Sequence, residues 1–361
     1  MKKQLDNFTV RLICNEYTHP KFIFKEVTDV NIETDTVLNF IVDEIPPDYR
    51  ICYQKLFQNN WNIFLNDEEG LHPFNTSSDT VNDDTDPSWS PNGESIVYTQ
   101  RGDDIYKYDI GSDSLINLTP GFEYNADQPK WTPDGNKIVY HYRKMGSDYT
   151  YIMDRNGTDN RKLFDFHTNI FFYDNSYDFI YRKNQSIYKS DIELTKDSLL
   201  LDLSSIDGSI IITDFNPIEN EILITIARIS GIPNCIAKYS FDNNQMDTVL
   251  FNETNRVYYN PKFSNDFSTV AFVEIIYNSS ITHISKIKNC VKEDLVTLSS
   301  SNEWIDFSPL AFSYDDKYLT YSKNIDIQGT HVTWDSYIYA FNLETKREHL
   351  IDSGINAKWK P

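Results

Sequence analysis

Short runs in which apolar and polar residues alternate with a period of two recur throughout this chain, and no segment sustains apolar residues at 3.6 spacing over ten residues. Such alternation puts every second side chain on one face of a β-strand. The runs also keep register with a longer period. Trp89 is followed by Trp131, Phe172, Phe215, Phe263, Phe312 and Trp359 at intervals of 41 to 49 residues. Seven residues after these markers stands an aliphatic or aromatic residue, and nine after usually an aromatic one: Ile96 with Tyr98, Ile138 with Tyr140, Phe179 with Tyr181, Val270 with Phe272, Leu319 with Tyr321. The text after Trp89, Ser90-Pro91-Asn92-Gly93, returns after Trp131 as Thr132-Pro133-Asp134-Gly135, a turn chemistry that joins two strands.

Each unit therefore reads as a strand ending at the marker, a tight turn and a second strand. A third alternating strand follows, as at 105–109 and 337–341, and then a shorter aliphatic fourth, as at 115–119, 162–164, 199–201, 249–251 and 295–298. A repeat of this length marks a propeller or solenoid, and four antiparallel strands per unit make a propeller blade. The expected fold is an all-β propeller, one domain over residues 1–361.

The mean interval between Trp89 and Trp359, 45 residues, fits about eight times into 361. One step before Trp89 lies Glu44, where Pro46, Pro47 and Asp48 resemble the turn and Ile51 and Tyr53 hold the plus-seven and plus-nine places. Further back, residues 8–14, 21–25 and 35–38 read as second, third and fourth strands without a first; Asp35-Thr36-Val37-Leu38 repeats Asp247-Thr248-Val249-Leu250. Asn356 to Pro361 carries the marker pattern at the other end. Eight blades are thus expected, with the ring closed by pairing of N- and C-terminal strands; the alternative is seven, with residues 1–40 as an extension.

Composition narrows the function classes. With 54 acidic against 33 basic residues the formal charge is −21, which repels phosphate backbones, and the pairs Arg143-Lys144 and Lys346-Arg347 form no basic patch in the sequence. Nucleic acid is not an expected partner. No stretch approaches 18 apolar residues, so no membrane-spanning helix is expected. Met1-Lys2-Lys3 looks like the start of an export signal, but Asp6 and Arg11 interrupt its apolar core. Cys14, Cys52, Cys235 and Cys290 lack C-x-x-C spacing and fall at non-equivalent repeat positions, which points to buried thiols rather than zinc ligands.

The segment from Asp86-Pro87-Ser88-Trp89 to Ile96-Val97-Tyr98, followed by Asp104-Ile105-Tyr106 and Asn117-Leu118-Thr119, resembles the WD-like propeller repeat of the TolB family. So does Asp127-Gln128-Pro129-Lys130-Trp131-Thr132-Pro133-Asp134-Gly135; elsewhere only the spacing matches. The repeat is also similar to those in the propellers of prolyl-oligopeptidase-type peptidases and some polysaccharide lyases. The chain contains no G-x-S-x-G pentapeptide and leaves no residues for a hydrolase domain, so serine-peptidase activity is not expected. The TolB resemblance implies a periplasmic or cell-envelope scaffold that binds protein, provided a leader was trimmed; the chain as written reads as cytoplasmic. TolB's additional N-terminal domain has no counterpart here, so its partners do not carry over.

Ligands of rigid β-scaffolds are held by loops. Two loop sets of a propeller converge on one face: those from the fourth strand into the next blade, and those from second to third strand. The first set offers Asp84, Asp86, Asn125, Asp127, His167, Asn169, Tyr259, Asn260, Trp304 and Asp306; the second offers 101–104, 141–148 with His141 and Arg143, and 324–335 with His331 and Trp334. Two readings stay open for Asp86 and Asp127: they ring the channel mouth and hold a ligand or a divalent cation, or they brace their own turns. The loop ending at Trp334 either stacks on a sugar or peptide or caps its own blade. His141, His167 and His331 are the histidines expected on this face, and a metal site would need two or three of them to converge. His19, His72, His283 and His349 lie on or beside strands with no evident partner.

The expected function is a non-enzymatic binding or scaffold propeller, monomeric, that recognises a protein, peptide or glycan on its channel face. No resident cofactor is expected. The alternative is a carbohydrate-active enzyme, a lyase or hydrolase with a divalent metal.

Overall fold

A computed structural model describes residues 8–11, 26–30, 48–77, 81–101, 103–121, 125–173, 176–204, 209–227, 235–251, 255–276, 279, 281–300, 302–306, 308–326 and 334–361. Among them there is no helix, and seven antiparallel blades stand in a propeller ring. Blade 1 combines Ile355–Trp359 with Ile51–Phe57, Asn60–Asn66 and Phe74–Asn75. Blades 2 to 6 follow in chain order, with first strands Asp84–Trp89, Ala126–Trp131, Ile170–Phe172, Ser209–Asn216 and Arg256–Phe263. The first strand of blade 7 is split into Glu303–Ile305 and Ala311–Phe312, and both pieces pair with Tyr318–Asp326.

The sequence period has a direct structural meaning. Each marker is the Cα partner of the residue seven places on: Trp89 with Ile96, Trp131 with Ile138, Phe172 with Phe179, Phe215 with Ile222, Phe263 with Val270, Phe312 with Leu319. In blade 1 the partner of Ile51 is Trp359.

That last pair corrects the blade count. Glu44 and Trp359 had each been assigned a blade, but Trp359 supplies the first strand to the very blade in which Ile51 holds the plus-seven place. The strand of Trp359, expected to complete an eighth blade with the segments of residues 8–38, belongs to the blade of Ile51, so there are seven rather than eight. The expected pairing of the two termini is corrected with it, because Phe8–Arg11 pairs with Glu26–Val30 in a separate two-stranded sheet and not with the C-terminal strand. Residues 21–25 and 35–38 lie outside the described residues.

Neither face of a four-stranded sheet is covered by its own blade, so neighbours must bury each other. Seven apolar clusters do this, each drawn from two adjacent blades; one joins Ile338 and Ala340 of blade 7 to Ile51, Tyr53 and Phe64 of blade 1. The tryptophan markers add a polar tie to the preceding blade. Trp89 Nε1 donates to the Lys358 carbonyl at 3.1 Å and Trp131 Nε1 to the Ser88 carbonyl at 3.3 Å, both residues standing one place before a marker. Trp359 Nε1 donates to Thr320 Oγ1 at 3.2 Å, and that hydroxyl donates to the Ala311 carbonyl at 3.1 Å, again one place before a marker.

After the marker, a Ser or Thr and an Asp or Asn two places later hold the turn. Thr132 Oγ1 donates to Asp134 Oδ1 at 2.7 Å and accepts the Lys137 amide at 3.0 Å; Ser264 with Asp266 and Ser313 with Asp315 repeat this. Gly93 and Gly135 sit there at φ of +67° and +68°, where a side chain would be strained.

Of the thiols, Cys52 and Cys235 are buried as expected, whereas Cys290 is exposed in a hairpin turn; Cys14 lies outside the described residues. Trp89→Phe removes the indole donor and orphans a carbonyl, so it should lower unfolding free energy by about 1 to 3 kcal/mol in chemical denaturation while leaving the β-rich circular dichroism spectrum unchanged. Removing residues 355–361 bares the edge of Ile51–Phe57; loss of the cooperative transition and self-association in light scattering are the expected outcomes.

Candidate functional site

The first strands carry a second repeated device, a bulge three places before the marker. Asp86, Gln128, Asn260 and Asn356 occupy that place in blades 2, 3, 6 and 1 with φ of +55°, +54°, +49° and +57°, and the ladder register shifts beside each of them. Asp and Asn tolerate this left-handed conformation better than most residues. A proline follows in three of the four, where the ladder needs no amide donor. Amides freed at the bulge turn to the preceding blade: Asp86 N donates to Gln54 Oε1 at 3.2 Å and Gln128 N to Thr99 Oγ1 at 3.1 Å. Asp86 thus braces its own strand, and burial raises the pKa of its carboxyl; Thr85 donates to it and the Asp127 charge adds to the rise.

On the face predicted to bind, blades 3 and 4 bring five of the expected residues together. His141 and Asp127 are Cα partners across the first two strands of blade 3, and the buried His141 ring lies with Nδ1 2.7 Å from Asp127 Oδ1 and Nε2 3.1 Å from Asp148 Oδ1. Both nitrogens can donate only in the imidazolium, so the hydrogen bond to Asp127 raises the His141 pKa against the opposing effect of burial. Arg143 Nε donates to Asp148 Oδ1 at 2.8 Å and holds the Asp148 pKa down.

His167 stacks on His141 with ring centroids 4.1 Å apart and planes inclined by 21°. Its loop is pinned by Thr150, whose hydroxyl donates to the Phe166 carbonyl at 2.9 Å and accepts the Thr168 amide at 3.2 Å. Burial lowers the His167 pKa, and the His141 charge lowers it further. Beyond His167 a cavity of about 510 Å³ opens between blades 4 and 5, lined among others by Asn169, Phe171, Arg182, Lys183 and Ile211.

Other expected residues stand apart from this cluster. Tyr259 and Asn260 lie on blade 6, where Asn260 Nδ2 donates to the Ser308 carbonyl at 3.2 Å, and half-buried Trp304 lies on blade 7 opposite Asn324. His331 and the Trp334 side chain lie outside the described residues, as does His19. The remaining histidines do have partners, contrary to expectation: His72 Nδ1 meets Asp67, His283 Nδ1 lies 2.9 Å from Thr297 Oγ1, and His349 Nε2 donates to the Glu68 carbonyl at 2.8 Å. Among the described residues no group of three or more His, Cys, Asp or Glu side chains is placed to hold a metal ion.

Sequence reasoning missed the lysines of the channel. Lys358, Lys130 and Lys262 each stand one place before a marker, in blades 1, 3 and 6, and their Cα partners Cys52, Val139 and Ala271 are equivalent, so the three share one level of the ring. Lys262 Nζ bonds Asp214 Oδ1 at 2.9 Å, and Lys130 Nζ donates to Asn169 Oδ1 at 3.2 Å. Lys130 is exposed to water, yet desolvation, then the Lys262 charge, lowers its pKa, as befits a side chain in a wet channel walled by protein. The same two causes bring Lys358 down to about 8. Lys130 and Lys358 line a cavity of about 680 Å³ together with Asp86, Trp89, Trp359 and Pro129.

The architecture has solved counterparts. The chain superposes on the crystal structure of TolB from Acinetobacter baumannii with a TM-score of 0.51 and 17% identity, over 88% of this chain and 68% of that one. The fold is a TolB-like β-propeller. The TolB-like propeller also superposes on a prolyl endopeptidase, with a TM-score of 0.59 and 10% identity over 86% of this chain but only 49% of that one, so it spans about half of the peptidase. An oligogalacturonate lyase in complex with manganese aligns over 97% of this chain and 85% of that one at 13% identity, with a TM-score of 0.41. No protein-family model and no curated protein matches the sequence.

The stacked histidines should titrate apart. In an NMR pH titration His141 should titrate above its ordinary value of about 6.5 and His167 below it. A histidine whose folded pKa is raised contributes stability that is fully present below the unfolded value and lost as pH rises through the folded one. Asp127→Asn should therefore lower the His141 pKa and destabilise the protein more at pH 5.5 than at pH 8.5, read as denaturation midpoints.

Proposed function

We propose that this protein is a non-enzymatic binding propeller whose channel face, from blade 2 to blade 5, receives a protein, peptide or glycan. The observation that carries this reading is the occupation of its titratable groups by one another. His141 is held between two carboxylates and covered by His167, which supports reading it as a rigid support rather than a base poised for proton transfer. The cavities on either side supply the room and mixed polarity of a recognition surface. A metal could reach the nitrogens of His141 only by displacing Asp127 or Asp148.

A photo-crosslinking residue at Asn184, beside the 510 Å³ cavity, should give a saturable adduct with the partner, while the same residue at the exposed Leu199 on an outer strand should give none. Equal adducts from both positions, or none together with measured turnover of an oligosaccharide, would overturn the reading.

A further inference from the structure

We propose that the channel cavity lined by Lys130 and Lys358 is a carboxylate-binding site, in which these two ammonium groups clamp the ligand. The inference rests on the reading of the channel face as a binding surface and names the chemistry it takes. Three lysines from blades separated around the ring meet at one level, in a chain whose formal charge is −21. They are close enough that the charge of Lys262 opposes protonation of both others, and that of Lys130 opposes protonation of Lys358. Like charges gathered in a channel walled by protein are unfavourable unless an anion joins them.

Among the described residues the anions of the channel do not complete the balance. Asp214 is committed to Lys262 and to the Phe263 amide at 2.9 Å, leaving Asp86 against Lys130 and Lys358. No hydrogen bond or ion pair to the Lys358 ammonium exists among the described residues. Among the described residues three ammonium groups stand against two carboxylates, a net positive charge that a ligand carboxylate offsets. Trp89, Trp359, Pro87 and Pro129 give the cavity an apolar wall for the body that bears the carboxylate.

Because Trp89 and Trp359 line the cavity, their fluorescence reports occupancy. The full chain is titrated at pH 7 with sodium glutarate, its uncharged analogue glutaramide, inorganic phosphate, and a terminally blocked peptide bearing two glutamates. Saturable binding of glutarate but not glutaramide is expected, weakened about tenfold or more in Lys130→Met and in Lys358→Met and unchanged in Lys317→Met on the periphery. Binding of the peptide as well as glutarate assigns the carboxylate to a protein partner, and binding of glutarate alone assigns it to a free acid; either supports the site.

Where a methionine variant fails to fold, the native chain decides. Its glutarate affinity should fall as pH rises past about 8, where Lys358 loses its proton among Lys262, Lys130, Cys52 and Asp86. Equal binding of glutaramide, tighter binding of phosphate, no binding at all, or affinity constant from pH 7 to 9.5 would overturn the proposal. Failure of the Asn184 adduct with glutarate binding intact would remove the macromolecular partner and leave the anion site standing.

Discussion

The structure depends on one constraint: a four-stranded blade cannot bury either of its faces alone, so every blade is stable only against its neighbours. The marker aromatic is where that constraint is met. It ends the first strand, pairs with the residue seven places on, and contributes its ring to an apolar cluster shared between two blades. In the tryptophan blades the indole nitrogen also reaches back, directly or through Thr320, to the carbonyl one place before the previous marker. The period in the sequence is therefore a record of inter-blade contacts more than of blades.

The same first strands shape the channel. Left-handed residues at Asp86, Gln128, Asn260 and Asn356 bulge the strand just before it reaches the marker, and the freed amides of Asp86 and Gln128 are taken by side chains of the preceding blade. The residue one place before the marker is then free to vary without disturbing either. Lysine fills that place in three blades, Asp214 in a fourth and Phe171 in a fifth. A framework that fixes bulge and marker and leaves the place just before the marker open is how a repeated fold acquires a particular surface.

The repeat, its strands and the turn chemistry were legible in the sequence because they recur and because local sterics dictate them: Gly93 and Gly135 sit where only glycine is unstrained, and Ile96 and Ile138 face their markers. The blade count was misread because periodicity cannot tell a degenerate first strand at Glu44 from a borrowed one, and only the pairing of Ile51 with Trp359 separates them. For the candidate site, the sequence placed His141 and His167 on one face but not in contact, since stacking depends on how Thr150 draws the 166–168 loop toward blade 3. The lysine level escaped because its members are far apart in the chain and occupy a place read as framework.

The borrowed strand of blade 1 also sets an order of events during synthesis. Ile51–Phe57 is made roughly 300 residues before its inner partner Ile355–Trp359, so its edge stays unpaired while the blades between them are translated. At ribosomal speeds that interval is roughly 15 to 60 s. Throughout it the nascent chain presents an open strand edge beside an apolar cluster, a substrate for holding chaperones, and the five-residue strand Ile355–Trp359 ends that exposure.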